Sequence, residues 1–254
     1  MPPRVPAALL AALLAAAATA CGGAGAGRGA NGSSLVVLAA ASLTEAFDEI
    51  GRRFEAAHPG VRVRFGYDAS STLVRQVVAG APAGVLATAD ELTMQQAVDG
   101  GGVDAPAVFA RNRLALVVRH GNPEGIRSLA DLARPGLVVV LCAEQVPCGR
   151  LGRHALERAG VRAQPRSLEP NVKGVVSKVL LGEADAGIAY VTDVMAAAGA
   201  VEGVPVPDHH NVVAIYPIAV ARAAPDRAAA DAFVAYVRSP AGQSVLERFG
   251  FQPA

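Results

Sequence analysis

Two serine-bearing segments with similar surroundings carry the clearest chemical potential in this chain: Ala39-Ala40-Ala41-Ser42-Leu43-Thr44-Glu45 and Asp68-Ala69-Ser70-Ser71-Thr72-Leu73. Each follows a strand-like apolar run and opens a predicted helix. A helix start offers backbone N–H groups that lack intrahelical acceptors, together with the positive end of the helix dipole, and both suit an anion. Serine hydroxyls add further donors. Ser42 and Ser70 occupy these starts, and Ser71 can share the second role because a sequence reading fixes a helix start only to within a residue or two. The alternative is that both serines are simple caps, with Glu45 completing a capping box around Ser42.

Donors without permanent charge select their guest. A fully ionised tetrahedral oxyanion accepts hydrogen bonds at every oxygen, whereas a protonated phosphate would bury an O–H with no acceptor, at a cost of about 1 to 3 kcal/mol. Asp68 and Asp90 lie near the donors in sequence and are expected behind them, bracing loops. Nucleophilic catalysis is disfavoured: no serine sits in a Gly-x-Ser-x-Gly elbow, and His120, His154, His209 and His210 fall in turns or at predicted surface positions. Ferric iron would need several carboxylates or phenolates. An organic anion would call for an Arg clamp, and none of Arg62, Arg64 or Arg75 is well placed for one.

The elements that must position these residues are legible from periodicity. Leu35-Val36-Val37-Leu38 reads as a strand covered on both faces, and Ala46, Phe47, Ile50, Phe54 and Ala57 recur at helical spacing after Thr44. Val61, Val63 and Phe65 alternate with Arg62 and Arg64 as a half-wet strand. Further helices are predicted over 71–79, 91–98, 151–159, 172–181, 228–237 and 244–249, with strands over 85–87, 114–118, 137–141, 186–190 and 212–220. This strand–helix rhythm implies largely parallel sheets with helices on both faces. Two similar α/β stretches flank Arg113, and the 212–220 strand can return the chain to the first. Ligands in open α/β sheets gather beyond the carboxyl ends of strands, which places the site in a cleft between two lobes.

The chain of 254 residues is 52% hydrophobic and 18% charged, with a formal net charge of +1. That balance supplies no broad basic field for nucleic acid. Residues 1–20 carry one charge, Arg4, ahead of an apolar stretch too short for a permanent membrane span, and read as an export leader. Ala18-Thr19-Ala20 before Cys21 resembles the cleavage box of bacterial lipoproteins, so Cys21 is expected to carry lipid and hold the protein at the outer face of the cytoplasmic membrane. Residues 21–34 read as a flexible tether. Cys142 and Cys148, six positions apart, allow a local disulfide in an exported protein; two free thiols or a poorly supplied zinc site are the alternatives.

Taken in order, the two serine motifs, Gln76, Gly80-Ala81-Pro82-Ala83, Ala89-Asp90, Val146-Pro147 with Gly149, Gly187-Ile188-Ala189-Tyr190, Tyr216-Pro217-Ile218-Ala219-Val220 and Phe249-Gly250-Phe251 resemble the molybdate-binding proteins of bacterial ABC importers. The resemblance implies a type II periplasmic-binding-protein fold, with residues 35–113 and 216–254 as one lobe and 114–215 as the other, joined by two crossing segments. It implies a molybdate or tungstate ion held by Ser42 and Ser70 from the first lobe, and by the Cys148 and Val172 amides and the Tyr190 hydroxyl from the second. Sulfate is the alternative oxyanion. No cofactor and no directly coordinated cation is implied. The implied partners are a membrane permease and its ATPase, with this chain a monomer, since the chain itself has no Gly-Lys-Ser/Thr phosphate loop. Two departures stand out: Cys148 replaces a common Ala, where a Cys142 bridge would fix the amide, and Gly84 replaces a common Asp.

Overall fold

The unbroken apolar run at Leu35–Leu38 forms the middle of β1 (Ser33–Ala40), which lies between two neighbours in a sheet. The computed structural model describes residues 33–254; the leader, Cys21 and the predicted tether up to residue 32 lie outside the described residues. Ser33 and Ser34, assigned to the tether from composition, instead extend β1, because they pair in register with Val61 and Arg62.

In chain order, β1 leads through a 3-10 turn at Ala41–Leu43 into α1 (Thr44–Ala57), then β2 (Val61–Asp68), α2 (Ser70–Val78), β3 (Val85–Ala87), α3 (Glu91–Asp99) and β4 (Ala107–Asn112). The second section runs β5 (Leu114–Arg119), β6 (Val139–Cys142), α4 (Pro147–Arg158), β7 (Ser167–Glu169), α5 (Val172–Leu180), β8 (Ala186–Tyr190), α6 (Val191–Ala196) and β9 (Val201–Pro205). The chain closes with β10 (Ala214–Val220), α7 (Arg227–Arg238) and α8 (Pro240–Arg248).

Two five-stranded sheets result, ordered β2-β1-β3-β10-β4 and β7-β6-β8-β5-β9. In each, three strands run parallel and the remaining contacts are antiparallel. Each sheet with its helices makes one α/β lobe. The chain crosses between them at Arg113 and again over residues 206–213. Asn211 ties the crossings together, accepting from Leu114 N–H at 3.0 Å and donating to the carbonyls of Leu114 at 2.8 Å and Val206 at 3.1 Å.

The parallel strands end facing the space between the lobes, and the helices that follow start there. α4 begins earlier than its apolar periodicity suggests, because Pro147 sits at its first position, where a missing N–H costs nothing. That shift puts Cys148 in the first helical turn. Gly84 has a packing reason: a Cβ there would come within 2.4 Å of Leu35 Cδ1. Among the described residues no helix is long and apolar enough to cross a membrane.

α1 is fixed to the first sheet by Phe47, fully buried with its ring 5.7 Å from Phe109, 6.1 Å from Phe233 and 6.2 Å from Phe65. Truncation would leave a cavity walled by three aromatic rings. Phe47→Ala is expected to lower unfolding free energy by about 3 to 5 kcal/mol. Urea denaturation followed by circular dichroism checks this, and an unchanged midpoint would contradict the packing described.

Candidate functional site

Chain reversals from both lobes converge on one cavity. The first lobe contributes Ala40, Ala41 and Ser42 after β1, Asp68, Ala69 and Ser70 between β2 and α2, and Ala89 after β3. The second contributes Val146, Pro147 and Cys148 at the start of α4, Asn171 and Val172 at the start of α5, and Tyr190 at the end of β8. The cavity they enclose has a volume of about 20 Å³, room for one small guest. All five residues expected in the donor set, Ser42, Ser70, Cys148, Val172 and Tyr190, line this space.

Ser71 does not. It lies one step further along α2, a rotation of about 100°, and lines a separate surface depression with Arg75 and Gln96. The capping reading of Ser42 also fails. The interposed 3-10 turn delays α1 to Thr44, so the residue before α1 is Leu43, and Ser42 instead bonds Tyr216 across the lobe. Glu45 closes no capping box; its carboxylate reaches Lys173. Asp68, expected behind the donors, is part of the lining, with Oδ1 accepting from Ala69 N–H at 2.6 Å and Asn171 Nδ2 at 3.2 Å.

The helix starts are unusually bare. The residues before the 3-10 turn, α2 and α4 are Ala40, Ala69 and Val146, and none supplies a side-chain cap. α5 is capped by Asn171, but onto Gly174 N–H rather than the amide of Val172, and Val172 lines the cavity. Burying uncapped first-turn amides leaves donors in want of an acceptor.

Ser70 Oγ is already occupied as an acceptor, and Ser42 Oγ shares a hydrogen bond with Tyr216. Ala89 N–H donates to Ser70 Oγ at 3.0 Å, so the single hydroxyl hydrogen of Ser70 is free for the cavity. Ser42 Oγ lies 2.8 Å from Tyr216 OH, and Asn112 Nδ2 lies 3.5 Å beyond, with a firmer bond to Thr192 Oγ1 at 2.8 Å. When Tyr216 is the donor in that bond, the Ser42 hydrogen is left for the cavity. Tyr190 OH, 1% exposed, has no hydrogen-bond partner among the described residues. Burial raises its pKa well above the ordinary tyrosine value, aided by the neighbouring Tyr216, Asp90 and Asp193, and burial raises that of Tyr216 likewise. Both phenols therefore keep their protons and remain neutral donors.

Cys142, at the end of β6, and Cys148 are joined by a disulfide, with Cα atoms 5.7 Å apart. The loop they close packs hard against α4: a Cβ on Gly149 would fall within 1.9 Å of Ala143 O. Bridge and glycine together fix where the Cys148 amide points.

Charges stand one layer out, in pairs. Arg150 Nε reaches Asp90 Oδ2 at 3.1 Å, while Asp90 Oδ1 caps α3 at Thr93 N–H. Lys173 Nζ lies 2.8 Å and 2.9 Å from the two oxygens of Glu45 and 3.1 Å from Asp193. Burial works against the Lys173 charge, but attraction to Asp193 and Glu45 outweighs it and raises its pKa. Burial pushes Asp193 up to about 6 against the pull of Lys173, with a smaller push from the nearby Glu45 carboxylate. The sequence reading missed Tyr216 and Asn112 as supports of Ser42, and Arg150 and Lys173 altogether. The only signal for the cations was adjacency, Arg150 two residues after Cys148 and Lys173 next to Val172. Among the described residues no group of three or more His, Cys, Asp or Glu is arranged to hold a metal ion.

Asp193 gives a pH signature. A pKa raised on folding means the native state binds the extra proton between the unfolded value near 3.8 and the folded value of about 6, so stability from this group is present at low pH and lost as pH rises through that window. Asp193→Asn cannot titrate. The stability of the natural protein relative to this variant is expected to fall between about pH 4 and 6 and then level off; urea unfolding of both proteins across that range checks it, and a constant difference would contradict it.

Residues 35–252 match the family model described as bacterial extracellular solute-binding protein. The molybdate-binding protein ModA of Mycobacterium tuberculosis is 43% identical over 219 residues, spanning 86% of this chain and 84% of that relative. Two solved structures share the fold: the periplasmic molybdate-binding protein of Azotobacter vinelandii, with TM-score 0.74 and 19% identity over 87% of this chain and 99% of that one, and the sulfate-binding protein SubI from Mycobacterium tuberculosis, with TM-score 0.80 and 22% identity over 87% of each. The two-lobed fold, with its cavity between the lobes, and the match across nearly the whole described chain lead to one conclusion: the chain belongs to the bacterial extracellular solute-binding proteins.

Proposed function

We propose that this protein captures molybdate, or tungstate of the same charge and shape, outside the cytoplasm and delivers it to the permease and ATPase of an ABC importer. The observation that carries the reading is the convergence, in a cavity for one small guest, of helix starts without side-chain caps, two serine hydroxyls each held by a single hydrogen bond, and a tyrosine hydroxyl with no partner among the described residues. Ser42, Ser70, the amides of Cys148 and Val172, and Tyr190 are its donors. The name of the 43% identical relative supports the same guest.

The work is binding without covalent chemistry. An open state would expose each half-set of donors to water; closing brings both onto one anion, strengthens each bond by excluding water, and shifts the population toward the closed form. The closed, single-chain receptor then presents both lobes to the permease. Sulfate has the same charge and tetrahedral shape but is smaller, so the fit of the cavity must separate it.

Titration calorimetry with molybdate, tungstate, sulfate and phosphate tests this. The first two are expected to bind at micromolar concentration or below; a preference for sulfate or phosphate would overturn the assignment. Ser42→Ala, Ser70→Ala and Tyr190→Phe each remove one donor to a charged guest and are expected to weaken binding by about 1.5 to 3 kcal/mol. Unchanged affinity in all three would move the site elsewhere.

Cys21 lies outside the described residues; its lipidation rests on the leader and on the small residues that precede it. Cys21→Ala is expected to move the protein from the membrane fraction to the soluble extracytoplasmic fraction of the native cell. Retention on the membrane would refute the anchor.

A further inference from the structure

Each helix of the second lobe that offers an amide to the cavity also carries a cation beside it: Arg150 two residues after Cys148 on α4, and Lys173 next to Val172 on α5. Both cations reach across to carboxylates at helix starts of the first lobe. Arg150 meets Asp90 before α3, with Nη2 also on Thr93 Oγ1 at 2.6 Å, and Lys173 meets Glu45 in the first turn of α1. Each also holds a contact within its own lobe, Arg150 Nη1 to Gln145 O at 2.7 Å and Lys173 to Asp193 at 3.1 Å. Lobe separation therefore strips Arg150 of its carboxylate and leaves Lys173 with one of its two, while both side chains stay tethered beside the half-site.

We infer that Arg150 and Lys173 serve the ligand twice: as steering charges that draw the anion onto the second lobe while the cleft is open, and as latches that Asp90 and Glu45 neutralise when it shuts. The inference rests on the oxyanion-binding reading above. It reconciles a closed cavity whose donors carry no charge with efficient capture of a dianion. Field from exposed cations raises association rates and is screened by salt, whereas pairs formed only on closing act on dissociation. The four residues divide accordingly. Removing a cation weakens both steering and latch; removing its carboxylate partner weakens the latch alone.

The chain has four Tyr and no Trp, and Tyr190 and Tyr216 lie at or just behind the cavity, so stopped-flow tyrosine fluorescence with molybdate as probe can follow binding. In the unaltered protein the association rate constant is expected to fall as sodium chloride is raised. Arg150→Gln and Lys173→Gln are expected to lower that rate constant on the order of 10-fold at low salt and to flatten its salt dependence. Asp90→Asn and Glu45→Gln are expected to raise the dissociation rate constant while leaving association equal or faster. Should the more buried Arg150–Asp90 variants fail to fold, the part-exposed Lys173–Glu45 pair decides alone. An association rate constant indifferent to salt, or equal in the cation and carboxylate variants, would overturn this inference and leave the binding reading intact. No response of the unaltered protein to any tetrahedral oxyanion would overturn the binding reading, and this inference with it.

Discussion

A buried hydrogen-bond donor must find an acceptor, and around this cavity the protein withholds one. The helix starts after β1, β2 and β6 are preceded by Ala40, Ala69 and Val146, residues that cannot cap. Ser42 and Ser70, which could have capped, are engaged elsewhere through their oxygens. Tyr190 brings a hydroxyl into the interior with no hydrogen-bond partner among the described residues. Each unmet donor costs about 1 to 3 kcal/mol when buried, so the arrangement makes sense as a site for a guest whose every oxygen accepts.

The fold supplies this geometry through a simple repetition. In each lobe, parallel strands deliver the chain to the same edge, and the helix that follows begins there with its amides pointing outward. Two lobes facing one another double the effect, and two crossing segments joined through Asn211 keep them opposed. Rigid local devices then set the final aim. The disulfide and the close approach at Gly149 hold Cys148, and the Asn112–Tyr216 chain orients Ser42. Fixing donors before the guest arrives reduces the ordering cost of binding.

Charge is kept out of the cavity wall proper except at Asp68, whose Oδ1 is bonded to Ala69 and Asn171. The cations stand behind the donors and are matched by carboxylates from the opposite lobe. A matched pair exerts little net field on a guest already inside, whereas Arg150 parted from Asp90 exerts a strong one.

Local pattern alone determined a good deal. The apolar run at Leu35–Leu38, the alternation at Val61–Phe65 and the helical spacing after Thr44 specified strands and helices, because hydrophobic periodicity reports which face is buried. Ser42, Ser70 and the Cys142–Cys148 pair were legible because they sit at element boundaries or within one short loop. What only the tertiary structure decided lies between elements distant in sequence. Ser42 serves Tyr216, 174 residues away, rather than its own helix; Ser71 turns out of the cavity by one helical step; Arg150 and Lys173 find partners 60 and 128 residues off. The ion pairs depend on how the two sheets face each other, and the Ser42–Tyr216 bond on which strands neighbour within one sheet, and no local periodicity carries that information.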